Sequence, residues 1–349
     1  MDYNREELKN VIEGKGETNG IPMLYDLWIY PEVFEDPKEI ETLLSEVPKA
    51  ADSIFLNMPE LVDTAGNRSS YSWIKKDIRQ NSSRGMDSQV LLADWEEADE
   101  MYRNFPDAGF EGMIPSYERD PEKYLLGRWW YCLFERHWSL RGMENALTDF
   151  LLYPEEVHTL YQKLTDFYMC AMERAHHELG CDGIFVSDDI GTQKGPFFSL
   201  NIFREFFKPY YKQMIQKAHE LDMHFWLHSC GDIELFIPDF IEIGLDVLHP
   251  IQKNTMNEKE ISKKYGSDIC LLVGVDVQQI IPFGTPEDVR KEVRYLIDTY
   301  KRNEGRFMLT MGNGATKDWS VENIRALYEE TMLYGGKGPF YSGICSRAI

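Results

Sequence analysis

The sequence lacks the long apolar runs and the paired cysteines that mark membrane and disulfide-rich proteins. No stretch of about 18 consecutive apolar residues occurs in the 349 residues, and the first residues contain no apolar signal region. The six cysteines are scattered without a Cys-x-x-Cys pair. This is too sparse for a disulfide scaffold and fits a reducing compartment. We therefore expect a cytoplasmic protein that does not enter a membrane.

Basic residues are also scarce relative to acidic ones. The chain has 37 Lys and Arg against 59 Asp and Glu, a formal net charge of −22. Such a surface repels nucleic acid and anionic membranes, and it does not favour a polyanionic substrate. We expect a small-molecule substrate and no nucleic-acid partner.

The chain has no short repeat, no low-complexity tract and no Gly-x-Gly-x-x-Gly after an early strand, but it has a regular alternation of segments. Short apolar segments alternate with amphipathic helices, which predicts parallel strands covered by helices. An open doubly wound sheet is the alternative. We predict an α/β fold, a (β/α)8 TIM barrel, as one domain over 1–349. Residues 1–120 form an N-terminal extension and the first barrel elements, and 121–349 form the regular repeats.

Several local predictions follow from the same pattern. GIPMLYDLW (20–28) reads as a first strand and RWWYCLFERHW (128–138) as a later one. A hairpin is expected within 51–105. Thr285 and Ser320 are expected to cap the last two helices.

Polar or small residues follow most of the predicted strands. In a parallel barrel these strand ends share one face, where active sites are built. A purely structural explanation would require a separate coincidence at each of five ends. The five strand ends are Ser187-Asp188-Asp189, His228-Ser229-Cys230, His249-Pro250-Ile251-Gln252, Asp276-Val277-Gln278 and Met311-Gly312-Asn313.

The pair His228 and Cys230 has the spacing of two metal ligands. Residues at i and i+2 of a strand point to the same side. Imidazole and thiolate together suit zinc, which accepts nitrogen and sulfur ligands. The alternative is a buried thiol beside a hydrogen-bonded histidine, since two ligands do not make a site.

Three acidic residues are candidates for catalysis. Of the adjacent Asp188 and Asp189, one should face the barrel interior, where it could act as a general base, a ligand or an anchor for a substrate hydroxyl. The alternative is an aspartate that caps a helix. Glu135 could pair with Arg136 or enter the mouth of the barrel.

Several stretches also resemble a known family. From about Tyr124 to Gly335 the chain is similar to the uroporphyrinogen decarboxylase superfamily, and residues 4–22 are similar to that family's opening helix and turn. The stretches that carry the resemblance are SLRGMENAL (139–147), CDGIFVSDDIGTQKGPFFS (181–199), REFFKPYYKQMIQKAH (204–219), HSCGDI (228–233), EIGLDVLHPIQ (242–252), VGVDVQQIIPFGTPEDVRKEV (273–293) and VENIRALYEE (321–330). The resemblance implies a (β/α)8 barrel.

The superfamily holds two chemistries, and the resemblance favours one of them. True uroporphyrinogen decarboxylases open with an arginine-containing segment that holds substrate carboxylates, whereas residues 21–34 contain no arginine. Corrinoid-linked methyltransferases use His-x-Cys and a later cysteine. His228 and Cys230 match the first two positions, but Met311-Gly312-Asn313-Gly314 stands where the later cysteine is expected.

The resemblance therefore implies a zinc-dependent methyltransferase that acts with a separate corrinoid protein. His228 and Cys230 would hold zinc, and a carboxylate would replace the missing cysteine, with Glu135 or Asp188 preferred and Asp189 also available. A methoxylated aromatic is a plausible methyl donor. We expect the substrate to contact Tyr25, Trp28, Trp130, Phe197, Gln193, Gln252 and Asn313.

Two other interpretations stay open at this point. One is a metal-free decarboxylase or related lyase, in which Asp188 or Asp189 manages a proton. The other is a non-catalytic accessory barrel, supported by the missing cysteine. The sequence also leaves open whether the chain forms a homodimer.

Overall fold

The described part of the chain contains nine short strands, of which seven form one sheet. The computed structural model describes residues 3–16, 20–59, 90–105 and 107–336. The strands are β1 Asp52–Phe55, β2 Leu125–Trp129, β3 Gly183–Ser187, β4 Gly191–Thr192, β5 Gly195–Pro196, β6 His224–His228, β7 Val247–His249, β8 Cys270–Val275 and β9 Phe307–Met311.

The main sheet is parallel throughout and curls around a common interior. Its strand order is β1-β2-β3-β6-β7-β8-β9, while β4 and β5 form a separate antiparallel hairpin. A parallel bridge joins Met23 to Leu309 at the outer edge of β9, in the position of an eighth strand. The described residues contain no ladder between this segment and β1. The predicted α/β barrel class is confirmed, as a curled sheet that is open at this one junction.

Helices follow most of the strands and cover the outside of the sheet. Thr285 and Ser320 cap α12 and α13 as predicted, each accepting a hydrogen bond from a backbone N–H of the first turn. The helices are α1 Arg5–Glu13, α2 Pro37–Ser45, α3 Ala98–Arg103, α4 Phe134–Arg141, α5 Met143–Leu152, α6 Pro154–Arg174, α7 Leu200–Ile202, α8 Lys208–Glu220, α9 Ile237–Glu242, α10 Glu258–Tyr265, α11 Ile280–Phe283, α12 Pro286–Tyr300 and α13 Val321–Gly335. Among the described residues, none of these helices is both long and apolar enough to cross a bilayer.

The strands are buried on both faces, which explains their continuous apolar character. Every residue of β2, β3, β6, β8 and β9 is buried. One face of each strand packs into the barrel and the other packs under a helix. Trp129 shows the outer packing, because its ring lies 5.3 Å from that of Tyr168 on α6.

The predicted strand over 128–138 is wrong in its second half. Strand β2 ends at Trp129, Tyr131 has a positive φ of 66°, and α4 begins at Phe134. The aromatic residues had suggested one continuous strand. The helix begins there because three of its backbone N–H groups are bound by a carboxylate that lies far along the chain, as described below.

The N-terminal predictions also need correction. Only Met23 of the segment 20–28 pairs with the sheet, and residues Tyr25–Leu27 form a 3-10 turn instead of continuing a strand. Most of the hairpin expected within 51–105 falls on residues 60–89, which lie outside the described ranges.

Candidate active site

Sheet register brings three of the polar strand ends together. Ser187 of β3 pairs with His228 of β6, and His228 pairs with His249 of β7. The residues that follow these three positions therefore emerge side by side at the carboxyl edge of the sheet. The predicted convergence of polar residues at this face is present in the fold.

Three side chains at this edge form a group that can hold a metal ion. The ligand atoms of Asp189, His228 and Cys230 all lie within 4.8 Å of one another. Cys230 Sγ is 3.4 Å from His228 Nε2, and Asp189 Oδ1 is 3.5 Å from the same nitrogen. Cys230 lies two residues beyond the end of β6, and its Sγ and His228 Nε2 face each other there.

A hydrogen-bond chain fixes which nitrogen of His228 is free. His249 Nε2 lies 2.9 Å from the carbonyl oxygen of Met311, which can only accept, so this nitrogen carries a proton. Burial lowers the pKa of both histidines, which leaves the imidazoles neutral. His249 Nδ1 is then an acceptor, and His228 Nδ1, 2.7 Å away, donates to it. His228 Nε2 is therefore unprotonated, and its lone pair faces the thiol of Cys230 and the carboxylate of Asp189.

Backbone contacts hold the two loops of this group against each other. The N–H of Cys230 donates to Asp189 Oδ1 at 2.7 Å. Gly231 has φ +90°, and a Cβ on it would collide with the backbone of Gly191. The glycine of the His-Ser-Cys-Gly stretch is needed here because the β4–β5 hairpin crosses directly over it.

Asp188 does not join the metal-binding group. It is fully buried, and its carboxylate accepts hydrogen bonds from Tyr211 Oη at 2.5 Å and from the backbone N–H groups of Leu133, Phe134 and Glu135 at 2.8–3.1 Å. Burial raises the pKa of Asp188 to about 6, while these hydrogen bonds act in the opposite direction. The side chain caps α4, so the helix-cap alternative describes Asp188 and the preferred ligand role does not.

Glu135 lies in the first turn of α4, which the Asp188 carboxylate caps. Its Oε2 accepts a hydrogen bond of 2.6 Å from Ser187 Oγ, and its side chain is buried. Burial and the charges of Asp189 and Asp188 raise the pKa of Glu135 to about 8. The carboxyl group is therefore protonated at neutral pH. Glu135 is not one of the three residues of the ligand group, but a charge on it would raise the pKa of Cys230.

The thiol of Cys230 is in an environment that disfavours the thiolate. Burial raises the pKa of Cys230, and the charges of Asp189 and Glu135 raise it further. A bound divalent cation acts in the opposite direction, because it supplies the positive charge that this acidic end lacks.

Two tryptophans form a wall next to His228. The ring of Trp28 lies 5.2 Å from that of His228 and stacks on His249 at 5.1 Å. Trp130 stacks on Trp28 at 5.6 Å and lies 6.4 Å from His228. Phe185 packs edge-on against both tryptophans. The predicted positions of Trp28 and Trp130 near the site agree with this arrangement.

Two carboxamides lie on the other side of Cys230. The side-chain oxygen of Gln252 accepts a hydrogen bond of 2.6 Å from the N–H of Gly231, and Asn313 Nδ2 is 3.8 Å from Cys230 Sγ. Together with Cys230 these residues line a cavity of about 50 Å³. Asn313 thus occupies the strand end where the resemblance led us to expect a cysteine.

The other predicted contact residues lie elsewhere. Tyr25 is buried with its hydroxyl against Thr331 and its ring against Tyr328, both on α13. Phe197 packs on Phe134 at 5.5 Å, and Gln193 is exposed at the tip of the β4–β5 hairpin. Tyr25 does not reach the ligand group, because the 3-10 turn directs its side chain toward α13.

Sequence reasoning missed the role of His249. The His249-Pro250 pair was noticed as a polar strand end, but nothing in its local sequence predicts a hydrogen bond to His228, 21 residues earlier. Sheet register, which places the two side by side, is the missing information.

Comparisons with known proteins agree with this architecture. The profile of the family described as uroporphyrinogen decarboxylase (URO-D) matches residues 138–332, which is more than half of the chain. A methylated-thiol–coenzyme M methyltransferase of Methanosarcina mazei is 26% identical over 187 residues. This match covers 54% of the chain, and the chain spans about half of that relative's length, 47%.

A solved structure extends the similarity of fold to nearly the whole chain. It is a methyltransferase from Methanosarcina mazei with a TM-score of 0.61 and 12% sequence identity, and the match covers 95% of this chain and 99% of that one. At this identity the likeness concerns the fold alone.

Proposed function

This chain belongs to the uroporphyrinogen decarboxylase family, and we propose that within the family it is a zinc-dependent methyltransferase. The methyl group would move between a small methylated compound, such as a methoxylated aromatic, and a corrinoid carried by a partner protein. The similarity to a methyltransferase of methylated thiols supports the reaction type.

The observation that carries the proposal is the group of Asp189, His228 and Cys230. It combines one oxygen, one nitrogen and one sulfur donor within 4.8 Å, and the free lone pair of His228 Nε2 points at the other two. Three protein ligands with one open position are typical of catalytic zinc. Asp189 would take the place of the later cysteine that the chain lacks.

The metal and the protein would share the chemistry. When bound, zinc supplies a Lewis acid at the oxygen or sulfur that carries the methyl group. As the carbon–heteroatom bond breaks, its electron pair stays on the heteroatom, which then needs a positive charge or a proton. Glu135, whose pKa is raised to about 8 by burial, would supply that proton. Trp28 and Trp130 would pack against the apolar body of the substrate.

The metal-free decarboxylase alternative has less support. Residues 21–34 contain no arginine, and in the structure they form the Met23 edge and two 3-10 turns that contribute Trp28 to the site. Release of carbon dioxide from uroporphyrinogen by the purified protein would favour that alternative.

The experiment is metal analysis combined with a methyl-transfer assay. Wild-type protein purified without chelators should carry close to one zinc per chain. His228→Ala, Cys230→Ser and Asp189→Ala should carry much less zinc than the wild type. They should also lose the transfer of methyl from an aryl methyl ether or a methylated thiol to free corrinoid supplied in its reduced cobalt(I) form. Asp188→Asn is the matched control, which should keep its zinc. Equal, negligible zinc in the wild type and all variants would refute the proposal.

A further inference from the structure

Arg128 of β2 is a buried cation with no carboxylate in contact among the described residues; Asp26 acts on it only from beyond ion-pair distance. Its side chain is 7% exposed, and its Nη1 donates to the carbonyl oxygen of Leu27 at 3.2 Å. Among the described residues no carboxylate oxygen lies within 4.0 Å of it, and its Nε has no acceptor. Buried guanidinium groups are normally paired with an anion, because removing the charge from water is costly.

The guanidinium lies on the inner side of the barrel, at one end of the tryptophan wall. Trp129 packs outward on α6, so its neighbours Arg128 and Trp130 project to the opposite face of β2. The Arg128 Cζ atom is 3.9 Å from the ring centre of Phe55 and 5.8 Å from that of Trp130. These rings stabilise a cation, but they do not neutralise it.

The site is therefore electrically polar from end to end. Without a metal, the carboxylates of Asp189 and Asp188 make the ligand end acidic. The lysine that lines the small cavity, Lys253, is already neutralised by Glu258 and Glu292, at 3.0 and 2.8 Å. In the metal-free protein an anionic group would be repelled at the ligand end and attracted at Arg128.

We infer that Arg128 binds an anionic group, a carboxylate or a sulfonate, at the end of the substrate opposite the methyl-bearing atom. The ring of Trp130 is near both ends, 5.8 Å from Arg128 Cζ and 6.4 Å from the centre of the His228 ring. A substrate about as long as one substituted benzene ring would reach both ends. Guanidinium suits carboxylate and sulfonate because its N–H groups donate in a planar fork. This inference rests on the proposed function for the orientation of the substrate.

The test compares pairs of compounds that differ only in charge. Binding of 4-methoxybenzoate and of 4-methoxybenzamide to the full chain is measured by isothermal titration calorimetry. A second pair, 2-(methylthio)ethanesulfonate and 2-(methylthio)ethanol, replaces the aromatic body with an aliphatic one. We expect the anion of at least one pair to bind about tenfold or more tightly than its neutral partner, as for a hydrogen bond to a charged group.

The variants assign the preference to the arginine. Arg128→Gln should abolish the preference for the anion, and Arg128→Lys should keep part of it, since the charge remains while the fork is lost. Arg325→Gln removes an arginine whose guanidinium is 43% exposed on α13 and should leave the preference unchanged. Thermal unfolding identifies any variant that does not fold. If Arg128→Gln does not fold, the preference for the anion is compared between Arg128→Lys and the wild type.

Each outcome decides the inference separately from the metal. All titrations are repeated on chelator-treated protein, where the preference for the anion should persist because Arg128 is not a ligand. An anion that binds no tighter than its neutral partner, no binding of either anion, or a preference that survives in Arg128→Gln would overturn the inference. Absence of zinc with the preference intact would count against the proposed function alone.

Discussion

An aspartate flanks each end of strand β3, and the two carboxylates have opposite kinds of partner. Asp182 precedes the strand and is 1% exposed. It accepts from Arg5 Nε at 2.5 Å, from Arg119 Nη2 at 2.9 Å and from the N–H of Leu125 at 3.0 Å. Asp189 follows the strand and faces a bare imidazole nitrogen and a thiol.

The difference separates structural charge from charge available for chemistry. At the amino end, cations of the chain itself satisfy the carboxylate and tie α1 to the barrel. At the carboxyl end, the ligand group contains only acceptors and a thiol, so a positive charge has to come from outside the chain. In barrels of this kind one face contributes to stability and the other carries the active site, and the contrast between Asp182 and Asp189 follows this rule.

The largest effect is expected at the stabilising end. Asp182→Ala removes the shared partner of Arg5 and Arg119 and should lower the free energy of unfolding by about 3 kcal/mol, measured by urea denaturation. Zinc affinity should not change. The exposed Asp222→Asn removes a surface ion pair with Lys9 and suits the positive φ of 55° at this position, so it should cost under about 1 kcal/mol. A loss of zinc affinity in Asp182→Ala would contradict the separation of the two ends.

The next effect concerns the histidine chain. His249→Phe removes the acceptor that fixes the tautomer of His228, and it should weaken zinc binding about tenfold to a hundredfold in a chelator competition. His224→Phe is the matched control. His224 lies beside Tyr124 at the start of β6, the strand that ends at His228. It should leave zinc affinity unchanged even if it lowers stability. Equal effects of the two variants would show that His249 has no special part in the metal site.

The smallest effect is a pH dependence caused by Glu135. Its pKa is raised from 4.5 in the unfolded chain to about 8 in the folded one, so folding takes up a proton between these values and stability falls as the pH rises through them. Glu135→Gln keeps an acceptor for Ser187 but cannot ionise. The Tm of chelator-treated Glu135→Gln, relative to wild type, should therefore increase from about pH 5 to about pH 8. A constant difference would mean that Glu135 is ionised throughout.

Much of the barrel could be predicted from the sequence, because its strands are short apolar runs separated by amphipathic helices. Capping by Thr285 and Ser320 is a local signal and was predicted for the same reason. The same holds for the pairing of His228 and Cys230, which the spacing of the two residues predicted. Resemblance to the family added the expectation of a metal.

The parts that could not be predicted depend on contacts between distant residues. The end of β2 is set by Asp188, which caps α4 from 53 residues away. The same contact withdraws Asp188 from the metal and leaves Asp189 as the oxygen ligand, a choice that two adjacent aspartates do not reveal. The sequence likewise indicates only a strand residue at Arg128, because the lack of a carboxylate in contact with it is visible only in three dimensions.

X-ray absorption at the zinc edge of the reconstituted protein tests the central claim most directly. We predict one sulfur ligand at about 2.3 Å, from Cys230, with the remaining ligands nitrogen or oxygen at about 2.0 to 2.2 Å. In Asp189→Ala the sulfur ligand should persist at reduced zinc occupancy, while Cys230→Ser should lose it. A spectrum with two or more sulfur ligands, or with none, would contradict the assignment of Asp189, His228 and Cys230 as the metal site.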